Sequence, residues 1–129
     1  WLIRWTKWSI PGLLVVGLSH LRPADVELSV GHVDAALDLA EEARSQYARI
    51  GERRGVALAT ANVGAARLAL GEPTLAITRH QEAVEILREL GQRDESYRAV
   101  LEGLARSLRA AGRATEAEQV QAELATLAP

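Results

Sequence analysis

The 129-residue chain carries 15 basic and 17 acidic residues, a net charge of −2, and no Cys. That excludes disulfides and thiol chemistry and gives no general pull toward nucleic acid or an anionic membrane. Aromatic residues make up 4%, with no Phe, so a core has to be assembled from Ala, Leu, Val and Ile, whose small side chains suit closely packed helices.

The chain begins at Trp1 rather than Met and reads as a piece of a longer protein, with residues 1–10 a Trp-rich segment and 11–129 a helical domain. Trp1, Trp5 and Trp8 recur at steps of four and three, which puts them on one helical face. Three exposed indoles would form a costly apolar patch, so they are expected to pack on the domain or on a second copy of the chain. Arg4 and Lys7 precede the apolar run from Ile10 to Leu18, but Pro11 and Gly12 break it and no small-x-small cleavage site follows. The run also falls short of the roughly 20 residues a membrane-spanning helix needs. No membrane role is expected, and a cytoplasmic location is.

From Gly31 onward the pattern is helical. Val33, Ala36, Leu37, Ala40, Ala43, Tyr47 and Ile50 form an apolar stripe at steps of three and four, and Gly51 is placed to stop it. Between 54 and 70, Val56, Thr60, Val63, Gly64, Arg67 and Leu70 mark one side of a second helix. After Gly71, Pro73 sits in a first helical turn, where its missing N–H does no harm. Ala76, Ile77, Ala83, Val84, Leu87 and Leu90 continue that helix to Gly91. Tyr97, Val100, Leu101, Leu104, Ala105 and Leu108 give a fourth helix over 95–110. Ala117, Val120, Leu124 and Leu127 give a fifth after Gly112. Nothing alternates as a strand would.

These stripes repeat. Gly31, Gly71 and Gly112 are each followed five residues later by Ala36, Ala76 and Ala117, a period of 40 or 41. Ala43 aligns with Ala83, Tyr47 with Leu87, and Gly51 with Gly91. Short turns between helices of this length make antiparallel hairpins. The expected fold is all-α, a repeat solenoid of about three helical hairpins.

"NVGAARLALGEPTLAITRHQEA" resembles the tetratricopeptide repeat through Val63-Gly64, Gly71, Ala76 and Ala83. "GLARSLRAAGRATEAEQVQAEL" does so through Leu104-Ala105, Gly112 and Ala117, and "LSVGHVDAALDLAEEA" in its second half. The resemblance covers roughly residues 24–127, with a period longer than the usual 34. It is similar to the longer repeats of bacterial multidomain signalling regulators (the SARP and LuxR/MalT-like types) and of kinesin light chains. The motif's aromatic positions hold Arg67, Pro73, His80, Leu108, Ala114 and Gln121 instead, and the first helix of the first repeat would have to pass through Pro23, which breaks or bends a helix. The resemblance implies an α-α superhelix acting as a non-catalytic protein- or peptide-binding scaffold, part of a larger bacterial signalling or transcription regulator.

No catalytic constellation is present. His20, His32 and His80 show no metal-ligand spacing, and no phosphate loop or nucleophile elbow occurs. No enzyme activity, metal or cofactor is expected, and His80 reads as a packing residue. In a solenoid the first helices line the concave face. That assigns a shallow peptide groove to Leu58, Ala61, Asn62, Ala65 and Leu68 of one helix, and to Glu102, Arg106 and Arg109 of the other. By resemblance, Asn62 holds the slot that hydrogen-bonds a bound peptide backbone. The family's chaperone-tail clamp is rejected: of its matching positions, Leu21, Asp25, Asn62, Ala99 and Gly103, only Asn62 fits. The alternative reading is a self-association module, a homodimer contact through Trp1, Trp5 and Trp8, with no peptide ligand.

Overall fold

The computed structural model describes residues 32–127. The Trp-rich segment, Pro23 and Gly31 lie outside the described residues. Within them the chain forms five α-helices and no strand: α1 (Val33–Arg49), α2 (Arg53–Ala69), α3 (Pro73–Glu89), α4 (Glu95–Ala110) and α5 (Ala114–Thr126). Each packs on its neighbour in sequence, and α2 also packs on α4. No helix among the described residues is long and apolar enough to cross a membrane.

One turn device recurs throughout. Gly51, Gly71, Gly91 and Gly112 adopt φ of +72°, +78°, +70° and +77°, a region open to Gly without steric penalty. Each follows a helix by one residue. Each amide donates to the carbonyl three residues back, and the next amide to the carbonyl five back: Gly71 to Leu68 at 3.0 Å and Glu72 to Arg67 at 2.9 Å, for example. This pairing satisfies the last carbonyls of a helix and reverses the chain. The sequence pattern separates stop glycines from hairpin-turn glycines. The structure makes them one kind, spaced 20, 20 and 21 residues apart.

Helix starts differ among themselves. Glu52 caps α2 by accepting from the Gly55 amide at 3.1 Å, and Asp94 caps α4 by accepting from Tyr97 at 3.2 Å. Pro73 opens α3, where its fixed φ is already helical.

The stripes become the core. Ala36, Ala76 and Ala117 are buried in register, as are Ala43 with Ala83 and Tyr47 with Leu87. The largest apolar cluster joins α2, α3, α4 and α5 through Ala61, Ile77, Leu87, Tyr97, Leu101, Leu108 and Leu124. Two details depart from the stripe reading. Ile50, Leu70 and Leu90 are 73%, 38% and 41% exposed, because as the last residues before a turn glycine they point off the packed face. And α2 is not one-sided: apart from half-buried Val56, its residues from Gly55 through Ala66 are buried, since α1, α3 and α4 all lean on it.

Arg–carboxylate pairs link helices two apart. Arg44 of α1 lies 3.9 Å from Glu82 of α3, Arg54 of α2 lies 3.6 Å from Asp94 at the start of α4, and Arg88 of α3 lies 2.7 Å from Glu123 of α5. These pairs are at least partly exposed and contribute only about 0–1 kcal/mol each. Their role is alignment of elements that the apolar core already holds.

Candidate binding surface and the His80 cluster

The residues assigned to a peptide groove divide into two groups. Leu58, Ala61, Asn62 and Ala65 of α2 are 5%, 1%, 5% and 2% exposed, so they are part of the interior. Leu58 packs with Ala43, Tyr47 and Ala59, and Ala65 packs with Ala36 of α1. Leu68 is half-buried, Arg106 is half-buried, and Glu102 and Arg109 are exposed. The open part of the assigned surface is therefore the outward face of α4 with the last turn of α2.

Behind that face lies a buried polar cluster. His80 of α3 is 1% exposed and is seated between two helix glycines. A methyl group at Gly64 of α2 would come within 2.8 Å of the imidazole, and one at Gly103 of α4 within 2.5 Å. Gly is there because nothing larger leaves room for the ring. His80 Nδ1 lies 2.9 Å from the Ala76 carbonyl oxygen. A carbonyl only accepts, so Nδ1 carries the proton. Ser107 Oγ donates to the Gly103 carbonyl at 2.9 Å and lies 3.3 Å from His80 Nδ1.

That arrangement defines what the pair can do. A His that activates a Ser must offer it an unprotonated nitrogen. Here the nitrogen facing Ser107 already holds a proton, and the hydroxyl is turned to a backbone carbonyl. The cluster ties α3 to α4 through His80 and Ser107, with Gly64 of α2 closed against the ring. Burial drives the His80 pKa down to about 4; the bond to Ala76 opposes this, and the Arg106 charge adds to it. His80 is neutral at pH 7.

Arg106 completes the group. Its Nε is buried and has no hydrogen-bond partner among the described residues. Leaving such a donor unpaired costs about 1–3 kcal/mol. Glu102, one turn earlier, stays exposed, and Arg109 is engaged with Gln121 Oε1 at 2.9 Å.

Among the described residues, two recesses lie between helices. One, of about 540 Å³, lies between α1 and α3 over α2, with Glu41, Arg44 and Glu82 at its rim and Val56, Thr60 and Ile86 inside. The other, of about 240 Å³, lies between α3 and α5 over Leu104 and Leu108 of α4. Beside the second, Arg88 Nε donates to Tyr97 Oη at 2.9 Å and Tyr97 donates to Glu123, which braces α3, α4 and α5. Burial, and the hydrogen bond to Glu123, push the Tyr97 phenol pKa up. Among the described residues no group of three His, Cys, Asp or Glu side chains is placed to hold a metal ion.

Periodicity puts Glu102, Arg106 and Arg109 on one face of α4, where Glu102 and Arg109 are exposed and Arg106 is half-buried with its Nε enclosed. It did not foresee the His80 cluster. The available signal was a pair of glycines inside helical stretches, Gly64 and Gly103, where Gly otherwise weakens a helix and so marks close approach. No known protein-family model matches the chain, and no curated protein or solved structure shows significant similarity to it.

Proposed function

We propose that the chain is a non-catalytic protein- or peptide-binding scaffold, a tetratricopeptide-like helical solenoid forming the interaction or sensor part of a larger bacterial regulator. The observation that carries this reading is the difference between alternate helices. The even helices α2 and α4 pack directly on each other, whereas the odd helices α1, α3 and α5 are separated by the two recesses. A stack whose helices are closer on one side than on the other curves toward that side, and curved stacks present their inner helices to ligands.

The four equivalent turns supply the regularity such a stack needs. The inner face offers Leu68 as an apolar contact and Glu102, Arg106 and Arg109 as polar ones. Asn62 is engaged within the protein and is not assigned a ligand.

The test is selection of peptides from a displayed random library on the native chain, followed by amide chemical-shift mapping of the enriched peptides. Shifts concentrated on Leu68, Glu102, Arg106 and Arg109 are expected. Enriched peptides that shift only α1 and α3, or no enrichment above a denatured control, would sink the reading. A sedimentation mass that doubles with concentration, with no peptide enriched, would instead favour self-association.

A further inference from the structure

We propose that the groove between α1 and α3 is the seat of the chain's own N-terminal segment, with Arg4 and Lys7 meeting its acidic rim and an indole of the Trp triad lying on its apolar floor. This surface is distinct from the inner face of α2 and α4, and the proposal does not rest on the binding reading above. Trp1, Trp5 and Trp8 are the only tryptophans of the chain and lie outside the described residues. Residues 1–22 contain Arg4, Lys7 and Arg22 and no acidic residue. The segment is thus positive and apolar in a chain whose net charge is −2. Its complement is a surface that is negative at the rim and apolar at the floor.

The α1–α3 groove has that character. Val56 and Ile86 line it, and its volume is about 540 Å³, within the roughly 300–1,000 Å³ of clefts that hold ligand-sized groups. Asp34, Asp38 and Glu41 follow one another at steps of four and three, so they share one ridge of α1. Glu85 lies one turn on from Glu82 along α3. The protein's own cations leave this rim negative. Arg44 lies 3.5 Å from Glu41 and 3.9 Å from Glu82, and Arg79 lies 2.6 Å from Glu82. Asp34, Asp38 and Glu85 are exposed, with no ion-pair partner among the described residues. Asp34 is accounted for by the positive start of its helix, but Asp38 and Glu85 stand in mid-helix, where that field has faded. The recess between α3 and α5 is the internal control. It is smaller, about 240 Å³, and both its carboxylates are satisfied: Glu116 lies 2.7 Å from Arg113 and Glu123 lies 2.7 Å from Arg88. The even helices carry six arginines and two glutamates, so they do not compete for a basic segment. Reach is not limiting. The 23 residues between Trp8 and His32 span up to about 75 Å when extended, against about 25 Å for the length of α1.

The experiment uses the full chain, whose tryptophans report on residues 1–8 alone and whose lack of Cys makes one introduced thiol the only labelling site. A nitroxide, which quenches indole fluorescence at short range, is attached at Thr78→Cys on α3 or at Ala122→Cys on α5, both exposed positions. At low salt the label at 78 is expected to quench the tryptophan emission at least about twofold, and the label at 122 to leave it nearly unchanged. The quenching should vanish near 1 M salt, where charges are screened beyond about 3 Å. It should also vanish in Asp38→Asn/Glu85→Gln, which alters only exposed side chains. Reversing the segment with Arg4→Glu/Lys7→Glu should abolish it too, and adding Asp38→Lys/Glu85→Lys should restore it. Absence of quenching in the native sequence, or equal quenching from both labels, overturns the proposal. So does quenching that survives both high salt and Asp38→Asn/Glu85→Gln, since the acidic rim then plays no part. Quenching that rises with protein concentration means that a second copy supplies the segment, and overturns docking within one chain.

Discussion

Helices α2 and α4 pack on each other and are built on opposite plans. Helix α2 is a row of small residues, buried on nearly every side from Gly55 to Ala66, and its stability comes from how near its neighbours can approach. Helix α4 buries one face of large residues, Tyr97, Val100, Leu101, Leu104 and Leu108, and leaves Glu102 and Arg109 in solvent. The first plan gives a rigid centre with no surface to offer. The second gives a helix that is anchored and still presents polar groups. Ring-on-glycine contacts hold α2 on both sides, with Tyr47 against Gly55 and His80 against Gly64.

If that contrast is right, truncation should hurt α4 most and enlargement should hurt α2 most. The largest effect is expected from Leu101→Ala, which empties a fully buried site in α4 and should cost about 2–5 kcal/mol in urea unfolding. A loss below about 1 kcal/mol would mean that α4 does not anchor the core as described. Next is Gly64→Ala in α2, whose new methyl group would meet the His80 ring at 2.8 Å. Overpacking of this kind costs about 1–3 kcal/mol. Adding His80→Ala should recover part of that loss, since the two changes share one contact. Simple additivity of the two would remove the ring-on-glycine explanation.

The third prediction concerns pH. The His80 pKa is lowered from 6.5 to about 4 in the folded chain, so between those values the unfolded chain binds the extra proton. The contribution to stability is complete above pH 6.5 and is lost as the pH falls toward 4. From pH 7 to pH 5 the loss attributable to His80 should be about 2 kcal/mol at most. In His80→Gln, the difference in unfolding free energy between these two pH values should shrink by that amount. An unchanged pH profile would place the imidazole in a more solvated setting than the structure gives it. The smallest effect is expected from Arg54→Ala, which removes the partly exposed link between α2 and the start of α4. It should cost less than about 1 kcal/mol, and a larger loss would mean that the α2–α4 register depends on charge as well as packing.

Much of this architecture was legible in the residues. The stripes of Ala36, Ala76 and Ala117, and of Tyr47 and Leu87, follow from a helical period that only one packed face satisfies. The glycines after each helix follow from the positive φ needed to reverse the chain. Of the assigned groove, Glu102, Arg106 and Arg109 were placed together because they fall at steps of four and three on one helix. Leu58, Ala61, Asn62 and Ala65 obey the same spacing. Yet spacing tells only that residues share a face, not whether another element covers it.

By itself, then, the sequence determined the number of helices in the described region, their ends within a few residues, and which face of α4 is apolar, because these depend on interactions within a few positions along the chain. Only the tertiary structure decided that α2 is enclosed, that Gly64 and Gly103 close on His80 from two sides, and that the Arg106 Nε is buried without a hydrogen-bond partner among the described residues. Those outcomes depend on which side chains from distant segments meet, and on the volume left when they do.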